Sequence, residues 1–250
     1  MNPRNILLAM CAGAMLGSVS AAFGEAPHWS YGPHGGPAEW GDLQKDFATC
    51  KLGKVQSPID IRGAKTADLP AIKFDYKPVP LRVIDNGHTI QVNYAKGSSI
   101  DVGGTRYELV QFHFHKPSEE KVNGKAYAMV VHLVHTGADG KLAVVGVLLD
   151  KGGASALIDS IWKNLPKEKG KESLVGTVDI DATKLLPEDR GYYTFQGSLT
   201  TPPCSEGVRW FVLKTPVKIA DAEIAAFGKI YSTNARPTQP LNDRAIQATK

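Results

Sequence analysis

Seven histidines occur in the chain, and four of them fall within 23 residues: His113 and His115 in QFHFH, then His132 and His135 in VVHLVH. Successive side chains of a strand point to opposite faces, so residues two apart share one. His113 and His115 therefore project side by side, and a third imidazole from a neighbouring strand completes a three-histidine site with one position open. That is the layout of a catalytic rather than a structural zinc. No helical His-Glu-x-x-His spacing occurs, which excludes the zinc-protease motif. Neutral imidazoles suit zinc, although spacing alone also admits copper, iron or nickel. Periodicity does not choose between His132 and His135, which face opposite sides of their strand.

The elements that must carry these histidines are short. Apolar or alternating runs at 72–76, 82–84, 89–94, 99–102, 107–115, 130–135 and 142–149 stand between turn residues, the pattern of a large, mainly β domain. Windows 154–164 and 221–230 carry helical spacing, the second with an acidic start. Residues 27–40, rich in Gly, Pro and aromatics, predict an irregular segment packed on the body. Neither a repeat nor a low-complexity linker interrupts residues 25–250, which predicts one domain.

The 250-residue chain is 42% hydrophobic and 22% charged, ordinary values for a domain that buries its core without metal or disulfide help. A formal charge of +4, with no basic block interleaved with aromatics, gives nucleic-acid binding no support. Residues 1–24 read as a cleaved export signal: Arg4 is the positive start, 6–19 are mostly apolar, and small residues follow at 19–21 and 22–24. The apolar stretch is too short to span a bilayer comfortably, so the mature chain is expected to keep no stable membrane anchor and to be periplasmic or secreted. Cys11 follows the bulky Met10, a poor lipidation box, and leaves with the signal. Cys50 and Cys204 remain as an even pair in an oxidising compartment, where a bridge closes a loop of more than 150 residues. Chain entropy sets its stabilisation at up to ~5 kcal/mol. Two free buried thiols are the alternative.

Beyond the histidines, the sequence resembles the α-carbonic anhydrases. The likeness runs through HWSYG (28–32), QSPIDI (56–61), NGHTI (86–90), QFHFHKPSEE (111–120) and HLVH (132–135). It continues through GSLTTPPC (197–204), EGVRWFVL (206–213) and NARPTQPLNDR (234–244), in family order over nearly the whole mature chain. The resemblance implies a mainly β (α+β) domain on a large, twisted, mostly antiparallel central sheet with short surface helices. It implies His113, His115 and His132 as ligands of Zn2+, with His135 structural on the far face, and CO2 and bicarbonate as substrate and product. Three-histidine zinc lowers the pKa of its water to about 7, a value established for carbonic anhydrases themselves, and the zinc-bound hydroxide attacks CO2.

Further roles follow from the same likeness. Thr200 accepts the hydrogen bond of the hydroxide while Glu119 accepts the threonine proton; a hydroxyl does both, an ionised carboxylate only accepts. Val134, Val144, Leu199, Thr201, Val208 and Trp210 match the substrate pocket, mostly apolar because CO2 has no dipole. His88, in NGH, matches the proton shuttle, a group titrating near pH 7. Gln111 fits the acceptor for the second nitrogen of His113. Cys50 and Cys204 match the disulfide of exported bacterial members.

The sequence also departs from the family. Many members carry a glutamate two positions before the third ligand, where Val130 stands here. Animal members tend to have His and Tyr where this chain has Glu120 and Phe195. Valine accepts no hydrogen bond, so His132 needs another acceptor: Glu120 from the neighbouring loop, or else water or a backbone carbonyl. Two other readings compete with a CO2-hydrating lyase, namely a non-catalytic carbonic-anhydrase-like binding module and a zinc esterase. A homodimer is compatible with the sequence, which does not fix the oligomeric state.

Overall fold

The structure is a computed structural model in which residues 29–250 are described; the predicted signal at 1–24 lies outside them. Among the described residues, thirteen strands form one large mixed sheet. In chain order they are β1 (Lys65–Thr66), β2 (Ile72–Asp75), β3 (Val79–Asp85), β4 (Ile90–Asn93), β5 (Ser99–Val102), β6 (Thr105–His115) and β7 (Met129–Gly137). There follow β8 (Leu142–Lys151), β9 (Glu172–Ile180), β10 (Tyr192–Ser198), β11 (Glu206–Leu213), β12 (Val217–Ile219) and β13 (Gln247–Ala248). The main path is β9-β3-β4-β6-β7-β8-β11-β10-β13-β1, with β12 on β8, and β5 joining β2 to β6. Most neighbours are antiparallel, but β8 runs parallel to β11 and β12, and β13 to β1. Every predicted run becomes a strand, with ends shifted by a few residues.

Sequence pattern and depth in the sheet agree. In β3, Val79, Leu81 and Val83 are buried while Pro80 and Arg82 face out, the alternation of a half-covered strand. At the centre, β7 and β8 are buried on both faces and read as near-continuous apolar runs. One face packs Phe112, Phe114, Val131 and Leu133 against the helices Ala156–Lys163 and Asp221–Ile230. The other packs Val130, Val144, Phe195 and Trp210 against Ile59, Ile61 and Ile246. The first helix is two residues shorter than its predicted start, because the Ser155 side chain accepts the Ile158 amide and caps it there.

The sequence pattern assigns no strand to β1 or to β9, β10, β11, β12 and β13. For β9 the reason is plain: ESLVGTVDI leaves Leu174 exposed and breaks register with β3 between Val175 and Asp179. Such a bulge distorts a strand that has no partner on its other side. The N-terminal part of the described chain forms a third cluster, in which Trp40 packs on Cys50 and Cys204. Those cysteines are bridged, across a sequence separation of 154. Among the described residues no helix is long and apolar enough to cross a membrane.

Candidate metal centre and its cleft

A bulge sets the phase of the site. Val134 of β7 pairs with Gln111 of β6, but the next residue, His135, pairs with Leu109, which leaves Val110 as the extra residue. Two residues oppose one, so Leu109 joins Phe112 in the core while Gln111 and His113 turn to the other face. His113 then lies directly opposite His132, and His115 follows two residues on. This settles what periodicity left open. His135 belongs to the far face, where its Nε2 stands 2.8 Å from the Tyr76 hydroxyl.

One nitrogen from each of His113, His115 and His132 lies within 4.8 Å of the others. The remaining nitrogen of each ring meets a different acceptor. His113 Nδ1 is 2.8 Å from Gln111 Oε1, and His115 Nδ1 is 2.7 Å from the Asn234 carbonyl oxygen. His132 Nε2 is 3.1 Å from both oxygens of the fully buried Glu120. A proton held at the outer nitrogen leaves the inner one as a lone pair, the tautomer a metal needs.

The residues fit a zinc-type cation. His115 Nε2 is buried without a hydrogen-bond partner, and so is Glu119 Oε2, 3.5 Å from it. Burial first, then the neighbouring His132, lowers His113 to about 3, and the same effects hold His115 well below its usual value. Burial opposes charge on His132 too, but Glu120 and then Glu119 outweigh it and raise that pKa. A cation held there would oppose that shift.

Glu119 lies on the inner side of the cluster, its Oε2 3.5 Å from His115 Nε2 and 3.8 Å from His132 Nδ1. Its Oε1 accepts the Arg236 amide at 2.7 Å, and Thr200 bonds the same carboxylate, which draws its pKa down. Burial is the larger effect and pushes Glu119 up to about 7. A cation held among the imidazoles would work with those hydrogen bonds to keep the group ionised. Thr200 is itself buried.

In front of the imidazoles opens a cleft of about 120 Å³, lined by His113, His115, Gln111, Thr201 and His88, with Trp29 and Tyr31. The His88 ring lies against the Trp29 indole, centroids 3.6 Å apart and planes within 9°. The residues expected as an apolar substrate wall do not line this cleft; they form an apolar row on the face of the sheet that carries His132. Val134 pairs with Val144, and Val144 with Trp210, so one row of residues crosses β7, β8 and β11. Leu199 and Val208 belong to the same cluster. Gly197 is required beside it: a Cβ there would stand 2.1 Å from Ser57 Oγ and 2.7 Å from Trp210 Cδ1.

Comparison with known proteins agrees with this geometry. The family model described as "Eukaryotic-type carbonic anhydrase" matches residues 35–250. A carbonic anhydrase of Neisseria gonorrhoeae is 44% identical over 91% of this chain and 90% of its own length. One of Nostoc sp. is 42% identical over 91% and 88%. The solved structure of a hyperthermostable carbonic anhydrase from an active hydrothermal vent chimney superposes with a TM-score of 0.86 at 46% identity, covering 89% of this chain and all of that one. The chain belongs to the carbonic anhydrase family of the eukaryotic, or alpha, type.

As an enzyme of the carbonic anhydrase family, this protein has its departures grouped around His132 and Trp210. Val130 is fully buried among Leu148, Val212 and Trp210, and the carboxylate beside His132 comes from Glu120 instead. Phe195 stacks parallel to Trp210 at 6.2 Å. Three contributors escaped the sequence reading. Asn234 and Arg236 act on His115 and Glu119 through backbone atoms, which residue type does not reveal. Tyr76, the partner of His135, is an ordinary strand tyrosine by its pattern.

Proposed function

We propose that the protein catalyses the reversible hydration of CO2 to bicarbonate and a proton, with zinc held by His113, His115 and His132. The observation that carries this reading is the set of converging imidazole nitrogens, each ring backed by its own acceptor, beside an open cleft. Zinc supplies, when bound, the acidity that makes a water nucleophilic at neutral pH, about 7 for carbonic anhydrases themselves.

The chain's own residues do the rest. Thr200 donates its hydroxyl hydrogen bond to Glu119, so toward the water its oxygen only accepts and fixes the direction of the proton on the attacking water. Arg236 N–H keeps Glu119 from turning. Val134, Val144, Leu199, Val208 and Trp210 hold CO2 without hydrogen bonds and keep bulk water from its carbon. Thr201 lines the cleft. His88 carries the surplus proton outward, since its side chain reaches the cleft and imidazole titrates near neutrality. An extracytoplasmic location accords with the Cys50–Cys204 bridge, since such bonds persist in oxidising compartments.

Stopped-flow CO2 hydration by the mature protein tests the proposal. Turnover that is lost on zinc removal and restored on re-addition supports it. No turnover above buffer with zinc bound would replace it with the binding-module reading.

A further inference from the structure

The turn that carries His88 belongs to neither of the strands that hold the metal site, yet proton transfer depends on its distance from that site. Asn234 joins the two. It is fully buried, and its side-chain Nδ2 donates to the His88 carbonyl at 3.0 Å and to the Phe114 carbonyl at 2.9 Å. Its Oδ1 accepts the Lys116 amide at 2.8 Å, and its backbone amide donates to the Lys116 carbonyl at 3.0 Å. Its own carbonyl meets His115 Nδ1 at 2.7 Å. The side-chain orientation is fixed, because a flipped amide would set oxygen against two carbonyls and NH2 against an N–H.

The same stretch of chain reaches the turn a second time, where the Tyr231 hydroxyl donates to Asp85 Oδ1. Asp85 in turn accepts the Gly87 amide, and Asn86 Oδ1 accepts the amides of His88 and Thr89. A histidine that is stacked on Trp29 on one side and pinned through its carbonyl on the other has little freedom to drift from the cleft. We propose that Asn234 is a positioning residue for proton transfer: its side-chain amide locks the His88 turn to the strand end that carries His115. Tyr231, which holds Asp85 and not the His88 carbonyl itself, is the outer part of the same clamp. This inference rests on His88 being the shuttle.

Asn234→Asp is the informative variant, since it keeps the Lys116 acceptor and the backbone carbonyl but loses both donated bonds. In weak buffer kcat is expected to fall about tenfold, within the ~100-fold that a misplacement of about 1 Å can cost, and by a larger factor than kcat/KM. Added imidazole restores kcat. Tyr231→Phe moves the same quantities the same way by a smaller factor, and it leaves the buried amide in place should the first variant not fold. A readout independent of turnover is the ring-current shift of the His88 proton resonances over Trp29, recorded on metal-free protein. It shrinks in both variants if the clamp is real. Equal losses in kcat, kcat/KM and zinc retention would assign Asn234 a merely structural role, and unchanged kcat with unchanged His88 resonances would overturn the proposal outright. His88→Ala separates the two readings. If that variant loses imidazole-rescuable kcat while Asn234→Asp and Tyr231→Phe do not, the shuttle stands and the clamp fails. If it loses nothing, the shuttle reading fails and takes the clamp with it.

Discussion

Replacing Glu120 by leucine tests the backing of His132 most directly. The wild-type carboxylate is fully buried, with both oxygens 3.1 Å from His132 Nε2. Leucine fills comparable space and accepts nothing. In the metal-free protein the ring can then shift its proton to Nδ1, which lies 3.8 Å from Glu119 Oε2. A cation that takes Nδ1 forces the proton onto Nε2, where it is buried without a partner, at a cost of about 1–3 kcal/mol. The penalty falls on the loaded form alone, so zinc affinity is expected to drop about 10–100-fold, the usual consequence of losing a ligand's outer partner. Glutamine keeps a neutral acceptor and should lose no more than about tenfold. Equilibrium competition against a chromophoric zinc chelator measures both, with circular dichroism as the check that the metal-free variants are folded. A leucine variant that is folded and holds zinc within about twofold of wild type would refute the reasoning.

Three further outcomes are expected. Thr200→Val removes the hydroxyl that bonds Glu119, so kcat/KM for CO2 should fall about 100-fold with zinc content unchanged, read by stopped flow and metal analysis. Replacing Cys50 and Cys204 by serine together opens a loop of 154 residues and should cost up to ~5 kcal/mol in urea unfolding; a loss below about 1 kcal/mol would contradict the chain-entropy argument. His135 is lowered to about 3 by burial, so between roughly pH 6.5 and 3 the unfolded chain binds a proton that the folded one refuses. Its contribution is therefore complete above about pH 6.5 and is lost as pH falls, by up to about 1.4 kcal/mol per unit, and His135→Gln should flatten that limb of the stability curve unless the argument is wrong.

Much of this was legible in the sequence. The period-two spacing of His113 and His115 survives because both lie beyond the bulge on β6; a bulge between them would have sent them to opposite faces. The bulge itself was not legible. Nothing in the residue types TRYELVQFHFH marks Val110 as supernumerary, and only its pairing with β7 makes it so. Strand ends drifted because β7 and β8 are covered on both faces, so their apolar runs carry no edge for periodicity to find. His113 and His115 were readable from type and spacing and His132 only through the family resemblance, whereas two of the groups holding the site in place were not readable at all. A carbonyl at residue 234 or an amide at residue 236 can belong to any amino acid, and topology alone brings it to the site.

The exchange at positions 120 and 130 shows how sheet and loop share this task. Position 130 is two residues before His132 and shares its face, so a carboxylate there reaches the ring along the strand. In this chain that face is occupied by Val130, packed with Leu148 and Val212 in the apolar cluster that continues to Val144 and Trp210. A charge placed in such company is costly unless it is paired and hydrogen-bonded. Glu120 avoids the difficulty by arriving from outside the strand, on a loop whose Ser118 hydroxyl donates to the Glu120 carbonyl at 2.7 Å and whose Ser118 oxygen accepts the Tyr127 amide. The loop is thereby pinned on both sides before the carboxylate meets His132. Adjacent Glu119 serves Thr200 from the same short loop, so one segment supplies the carboxylates at both places and the strand cluster around Val130 stays apolar. What changed between this chain and the family pattern is the route by which a negative charge reaches His132, not whether it does.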